Sequence, residues 1–113
     1  MFKRTLIAAI LMSSFTVSTA FADVLVSVSH EVKDFATWKK GFDGDKAMRK
    51  KAGFKDLYVS QDIAKPNLVY IGFSAKDEAS AKAFIANPKL KETMEKCGVI
   101  STPTIVISNL AKK

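Results

Sequence analysis

The chain of 113 residues has one cysteine, Cys97, and one histidine, His30. It therefore lacks a C-x-x-C pair, a C-x-x-C-H haem-attachment motif and any cluster at the spacing that zinc or copper requires. It also lacks a G-x-S-x-G sequence, a glycine-rich phosphate loop and a second histidine for a nucleophilic relay. These absences argue against metal-centre, covalent-haem and serine-hydrolase chemistry, so the sequence implies no cofactor and no metal ligands.

The first residues carry the pattern of an export signal. Lys3-Arg4 is basic, Leu6 to Met12 is apolar and uncharged, and Ala20-Phe21-Ala22 matches the A-x-A pattern of signal-peptidase cleavage. The apolar run is too short for a membrane span, and no cysteine follows it to carry a lipid. We expect residues 1–22 to be a cleaved signal peptide and residues 23–113 to form a periplasmic or secreted protein.

Removing 22 residues from 113 leaves 91, enough for one domain with one modest core. The formal charge falls from +7 to +5, because the removed segment holds two basic and no acidic residues. With Cys97 alone, the domain has no internal disulfide and depends on apolar burial or on a partner subunit. Cys97 precedes Gly98 at a predicted helix end, where the helix dipole opposes thiolate formation. We interpret it as a structural thiol, with an intermolecular disulfide as the alternative.

The first half of the domain reads as a strand followed by a helix. Val24, Val26 and Val28 alternate with other residues, and His30 continues their face. A helix capped by Asp34 is expected to run toward Ala52 and to end at Gly53. Gly41 and Gly44 weaken it, so either the helix breaks near Gly44 and restarts with Asp45 as a second cap, or a neighbouring element approaches closely at Gly41.

The second half reads as a hairpin, a divided helix and a strand. Asn87-Pro88 divides that helix, whose predicted inner residues are Ala79, Ala83 and Phe84 before the break and Leu90 and Met94 after it. Asn109 to Lys113 are expected to form a loose basic tail. The predicted strands span 54–63, 68–74 and 104–107, and the helical segments begin near Asp77 and cover 89–97.

The resulting order, βαββαβ, predicts an α+β fold of the ferredoxin-like class, with two helices on one face of a four-stranded antiparallel sheet. Whichever strand parity holds, the opposite face contains large apolar residues and needs a cover. We therefore expect a homodimer in which two sheets pack face to face. The two possible sets are Leu25, Tyr70 and Val106, or Val26, Ile71 and Ile105.

Four segments, spread over almost the whole domain, resemble the ordered signatures of a family of small bacterial dimeric α/β-barrel proteins. They are HEVKDFATWKKGFD (30–43), RKKAGF (49–54), DIAKPNLVYIGF (62–73) and MEKCGVISTP (94–103). That family is related to the antibiotic-biosynthesis-monooxygenase-like group, whose superfamily includes cofactor-free oxygenases, haem-degrading enzymes, lactone isomerases and stress-response proteins. The resemblance implies a dimeric α/β barrel but no single reaction, since one fold hosts many functions.

His30 has two interpretations. In one it lies at the mouth of a pocket between the sheet and the first helix and acts as a general base or a substrate hydrogen-bond partner, because imidazole titrates near neutral pH. In the other it is a strand-end residue satisfied by a backbone carbonyl or a carboxylate. Non-covalent haem with His30 as axial ligand is a further alternative, although haem-degrading members of the superfamily place their histidine on the second helix, where this chain has none.

Trp38 and Phe42 recur at helical spacing, which is typical of core residues and also of a wall that stacks on a ligand. The three residues Glu31 to Lys33 are too few to carry the chain away from the sheet, so we expect His30, Trp38 and Phe42 to border one pocket for a small acidic organic ligand. Two functions fit: a cofactor-free oxygenase or isomerase with His30 as base, or a binding or stress-response protein without catalysis.

The basic residues near the end of the first helix are interpreted as a solvated face. Acidic residues interrupt them, and no aromatic ladder accompanies them, so we expect no nucleic-acid partner. The basic set is Lys46, Arg49, Lys50 and Lys51, and the interrupting acids are Asp43, Asp45 and Asp56.

Overall fold

The computed structural model describes residues 21–111 as four strands and four helical segments. Most of the predicted signal peptide lies outside these residues, so its cleavage stays a prediction. The strands are β1 (Phe21–Glu31), β2 (Phe54–Gln61), β3 (Leu68–Ala75) and β4 (Thr104–Ala111). The helices are α1 (Phe35–Gly44), α2 (Lys46–Lys51), α3 (Glu78–Ala86) and α4 (Pro88–Lys96).

The strands form one sheet in the order β2-β3-β1-β4, with every neighbouring pair antiparallel. This order and the element sequence confirm the predicted ferredoxin-like fold. The even-numbered residues of β1 face the helices, because buried Val26 pairs with buried Phe73 of β3. Of the two alternation sets, the one containing Val26, Ile71 and Ile105 is therefore the core set.

The helix after β1 both breaks at Gly44 and has a close neighbour at Gly41, which are the two alternatives that its glycines suggested. Asp34 caps α1 by accepting a hydrogen bond from the Thr37 backbone N–H, and the helix ends at Gly44 before α2 begins. A Cβ atom added at Gly41 would lie 2.5 Å from the Cys97 Sγ, so the chain also approaches closely there. The absence of a side chain at Gly41 therefore lets the end of α4 pack against α1.

Two details of the second half differ from prediction. Ala79 and Ala83 are exposed, whereas Ala81 is completely buried and Phe84 is half-buried, so the inner face of α3 is shifted around the helix axis. The strand after Pro103 does not end at Ile107. Asn109 and Leu110 continue β4, because they pair with the first residues of β1, and the prediction of a loose tail there was wrong.

The sheet face away from the helices is partly apolar. Val106 is 53% exposed and Tyr58 is 46% exposed. The Tyr58 ring lies directly on Gly72, where a Cβ atom would collide with it. Leu57, at a register irregularity of β2, is also exposed. Within residues 21–111, no helix combines the length and apolar character needed to cross a membrane.

Candidate functional site

His30 lies near the end of β1 and points into the helix-covered side of the sheet. His30 is 3% exposed, and its Nδ1 atom is buried without a hydrogen-bond partner. Burial lowers the pKa of His30 below its ordinary value of 6.5, because the charged imidazolium loses its hydration. The imidazole is therefore predominantly neutral at pH 7. A weak interaction with the His30 backbone opposes part of the pKa shift, but Nδ1 has no hydrogen-bond partner of good geometry inside the protein.

An aromatic row extends from His30 along α1. The imidazole meets the Trp38 ring edge-on, with centroids 5.6 Å apart, and Trp38 stacks on Phe42 at 4.9 Å. Phe42 in turn stacks on Phe73 of β3 at 6.1 Å. Helical spacing places both α1 aromatics on the face that covers the sheet, as the sequence indicated.

These residues border a cavity between the sheet and the helices. The cavity has a volume of about 70 Å³, well above the roughly 10–15 Å³ that one water molecule requires. The predicted trio is therefore brought together, although no ligand defines its roles. The residues that line the cavity include His30, Trp38, Phe42, Met48, Arg49, Phe54, Ile71, Phe73, Phe84, Met94, Cys97 and Ile105.

Arg49 is a site residue that the sequence analysis missed. It is 4% exposed rather than part of a solvated face, so that interpretation was wrong for this residue. Its Nε and Nη2 atoms donate to the two carboxylate oxygens of Asp56, each at 2.9 Å, and its Nη1 donates to the Phe42 carbonyl at 2.8 Å. The guanidinium carbon also lies 3.7 Å from the centre of the Phe42 ring.

Nothing in the sequence distinguished Arg49 from its basic neighbours. Lys50 and Lys51 are exposed, as predicted. The aspartate that pairs with Arg49 is seven residues away on another element, so neither helical nor strand periodicity links the two. The exposed pair of Lys39 and Asp43, at 2.8 Å, follows the ordinary helical spacing of four and lies away from the cavity lining.

Cys97 lies at the end of α4 and lines the same cavity. Burial raises the pKa of its thiol, and the nearby Asp45 carboxylate acts in the same direction. Both causes oppose thiolate formation, in agreement with a structural thiol. In the described part of the chain, no three side chains of the His, Cys, Asp and Glu types are grouped to hold a metal ion.

No protein family and no curated protein matches this chain. Solved structures do. A putative antibiotic biosynthesis monooxygenase from Caulobacter crescentus is 12% identical, with a TM-score of 0.64 over 82% of this chain and 93% of the other. A putative antibiotic biosynthesis monooxygenase from Bordetella bronchiseptica is 13% identical, with a TM-score of 0.63 over 76% of this chain and 95% of the other.

The fold is that of the antibiotic biosynthesis monooxygenase-like proteins. A monooxygenase from Streptomyces coelicolor in complex with Nanaomycin D matches at 17% identity and a TM-score of 0.54, over 81% of this chain and 90% of the other. A dimeric ferredoxin-like protein from an uncultured marine organism matches at 10% identity and 0.52, over 85% and 94%. At these identities the likeness establishes the fold, while the function has to be argued from the cavity.

Proposed function

We propose that this protein binds a small, largely apolar organic molecule in the His30 cavity and that the neutral imidazole accepts a hydrogen bond or a proton from it. The buried Nδ1 without a partner carries this proposal. A buried polar atom left unpaired costs about 1–3 kcal/mol. A ligand hydroxyl or an acidic C–H group would supply the missing donor, in the tautomer that carries its proton on Nε2.

The same imidazole is suited to act as a base. Its lowered pKa keeps it unprotonated at neutral pH, and the stacked rings of Trp38 and Phe42 give the transferred proton an apolar wall. An isomerase would return that proton to another carbon of the substrate. In a cofactor-free oxygenase, the resulting carbanion would add dissolved oxygen as a peroxide, which takes the proton back and loses water to leave a carbonyl. Fold similarity to a monooxygenase with bound Nanaomycin D supports an organic ligand of this general class.

Binding without catalysis is the second candidate. Arg49, the basic group of the lining, is engaged by Asp56 and by a backbone carbonyl, and the lining also holds Asp45 and Cys97. Among the described residues, no side chain of this lining is hydrogen-bonded to the Nδ1 atom of His30, which suits a binding or stress-response protein.

Ligand binding is tested with a matched pair of compounds. 1-Naphthol and 1-methylnaphthalene have nearly the same shape, but only the first donates a hydrogen bond. Both should quench the fluorescence of Trp38, which is the sole tryptophan. His30→Phe keeps a planar aromatic ring and removes the acceptor, so it should weaken 1-naphthol binding roughly tenfold, or about 1.4 kcal/mol, while leaving 1-methylnaphthalene unaffected. Equal loss for both compounds, or no binding of either, would contradict the proposal.

We also propose that the protein is a homodimer. The exposed Val106 and Tyr58 on the open sheet face supply the apolar surface, and the fold likeness to a dimeric ferredoxin-like protein supports sheet-to-sheet pairing. Light scattering of residues 23–113 at micromolar concentration should give twice the chain mass. A strict monomer would refute the pairing.

We further propose that the protein is exported, with cleavage after Ala22. The basic start, the apolar run and the A-x-A site support this proposal.

A further inference from the structure

We propose that the ion pair of Arg49 with Asp56 is a positioning element for the cavity: it holds Phe42 and Trp38 against His30 and closes the α2 side to water. This inference rests on the proposed function, because it explains how the His30 environment is maintained. Neither residue is a catalytic residue in this proposal, since both act through the aromatic row.

The contacts of Arg49 join three separate elements. Arg49 belongs to α2, its carboxylate partner Asp56 belongs to β2, and its carbonyl partner Phe42 belongs to α1. That carbonyl is in the last turn of α1, where it also accepts the Asp45 backbone N–H at 3.2 Å and where the helix dipole favours a positive charge. One side chain therefore fixes the corner at which the helix breaks.

α2 depends on this side chain for its attachment. The helix has six residues, and Arg49 is its single buried residue. A helix this short is not stable by itself. Met48 and Arg49 nevertheless both line the cavity, so α2 forms part of its wall. Loss of the ion pair should release this wall before it affects the sheet.

The guanidinium also supports the aromatic row directly. It stacks at 3.7 Å on the Phe42 ring, Phe42 stacks on Trp38, and Trp38 meets the His30 imidazole. A planar, fixed guanidinium can stack and bind a carboxylate with two hydrogen bonds at once, which a lysine ammonium cannot do. The contacts thus form an unbroken path from Asp56 to His30.

Few other charged or titratable groups share the cavity with His30. In the lining they are Asp45 from the α1–α2 junction, the Cys97 thiol just after α4 and Arg49 itself, with Asp56 behind Arg49. The strand partner of His30 in β3 is the uncharged Val69. A change in His30 titration on altering Arg49 therefore reports water entry or the loss of one charge, and the variants below separate these causes.

The test uses Arg49→Met, Arg49→Lys and the control Lys39→Met in the untagged protein. His30 and Trp38 are unique, so each gives one assignable signal. In Arg49→Met, water reaches the imidazole, and the His30 pKa measured by NMR should rise toward its ordinary value while the Trp38 emission moves to longer wavelength. Arg49→Lys should behave the same way if positioning is the cause, and like the unmodified protein if charge alone matters. Lys39→Met breaks an exposed ion pair on α1 and should change neither signal.

Arg49→Met leaves Asp56 without its partner and could prevent folding. The double variant Arg49→Met with Asp56→Asn removes both charges and provides a second measurement. An unshifted His30 titration and unchanged Trp38 emission in the folded variants, or an Arg49→Lys protein that matches the unmodified one, would overturn the inference. This outcome is independent of 1-naphthol binding, whose absence from the unmodified protein would refute the proposed function instead.

Discussion

The contact between Gly41 and Cys97 allows a quantitative test of the helix packing. Gly41→Ala should gain helix propensity, which is worth about 1 kcal/mol. The new Cβ, however, would lie 2.5 Å from the Cys97 Sγ and 3.3 Å from its Cβ, so α4 or α1 must move. Such overpacking costs about 1–3 kcal/mol. We therefore expect a net loss of up to about 2 kcal/mol in the free energy of unfolding.

Gly44→Ala is the matched control. It lies on the same helix, and a Cβ atom there would have no neighbour within 4 Å. It should leave stability unchanged or raise it by up to about 1 kcal/mol. The double variant Gly41→Ala with Cys97→Ala removes the clashing sulfur atom and should recover most of the loss, apart from a remaining tight contact between the two Cβ atoms.

Urea unfolding followed by circular dichroism measures five proteins: the unmodified protein, Gly41→Ala, Gly44→Ala, Cys97→Ala and the double variant. The coupling between Gly41→Ala and Cys97→Ala is obtained from a double-mutant cycle. A Gly41→Ala protein at least as stable as the Gly44→Ala protein would show that the two helices are not in contact as described.

Three further predictions concern pH, the open sheet face and export. The unfolded state binds more protons than the folded state between the lowered pKa of His30 and 6.5, so stability should decrease as the pH falls through that window, and His30→Phe should flatten the decrease measured by urea unfolding. Gly72→Ala displaces the Tyr58 ring from the open face and should lower the dimer fraction in light scattering with little change in the melting temperature. A clear drop in the melting temperature as well would place Tyr58 in the fold rather than the interface. Mass spectrometry of a periplasmic extract should find Asp23 at the N-terminus, and a product that keeps Lys3-Arg4 would contradict export.

The periodicity of apolar residues in the sequence correctly predicted the inward faces of the first strand and the first helix. Alternation placed Val26 and His30 on one face, and helical spacing placed Trp38 and Phe42 over it, because both patterns follow directly from backbone geometry. The cap at Asp34 was equally recognisable, and the second helix was expected to begin near Asp77, which in the structure accepts the Ser80 backbone N–H.

Contacts between separate elements could not be predicted from these local sequence patterns. The pairing of Arg49 with Asp56 depends on how α2 meets β2, and local spacing carries no information about that meeting. The extension of β4 to Ala111 has the same origin: Asn109 and Leu110 look like a polar tail by themselves and become strand residues because β1 offers them hydrogen bonds. Propensity is overridden in both cases by tertiary structure.

The two edges of the sheet differ in how well they are guarded against other chains. β2, at one edge, carries a register irregularity and the charged residues Lys55 and Asp56. β4, at the other edge, has no charged residue from Thr104 to Ala111. Regular, uncharged edges accept additional strands, and irregular or charged ones resist them. Aggregation on heating or at high concentration should therefore begin at β4, and a lysine introduced at Thr104 should slow it.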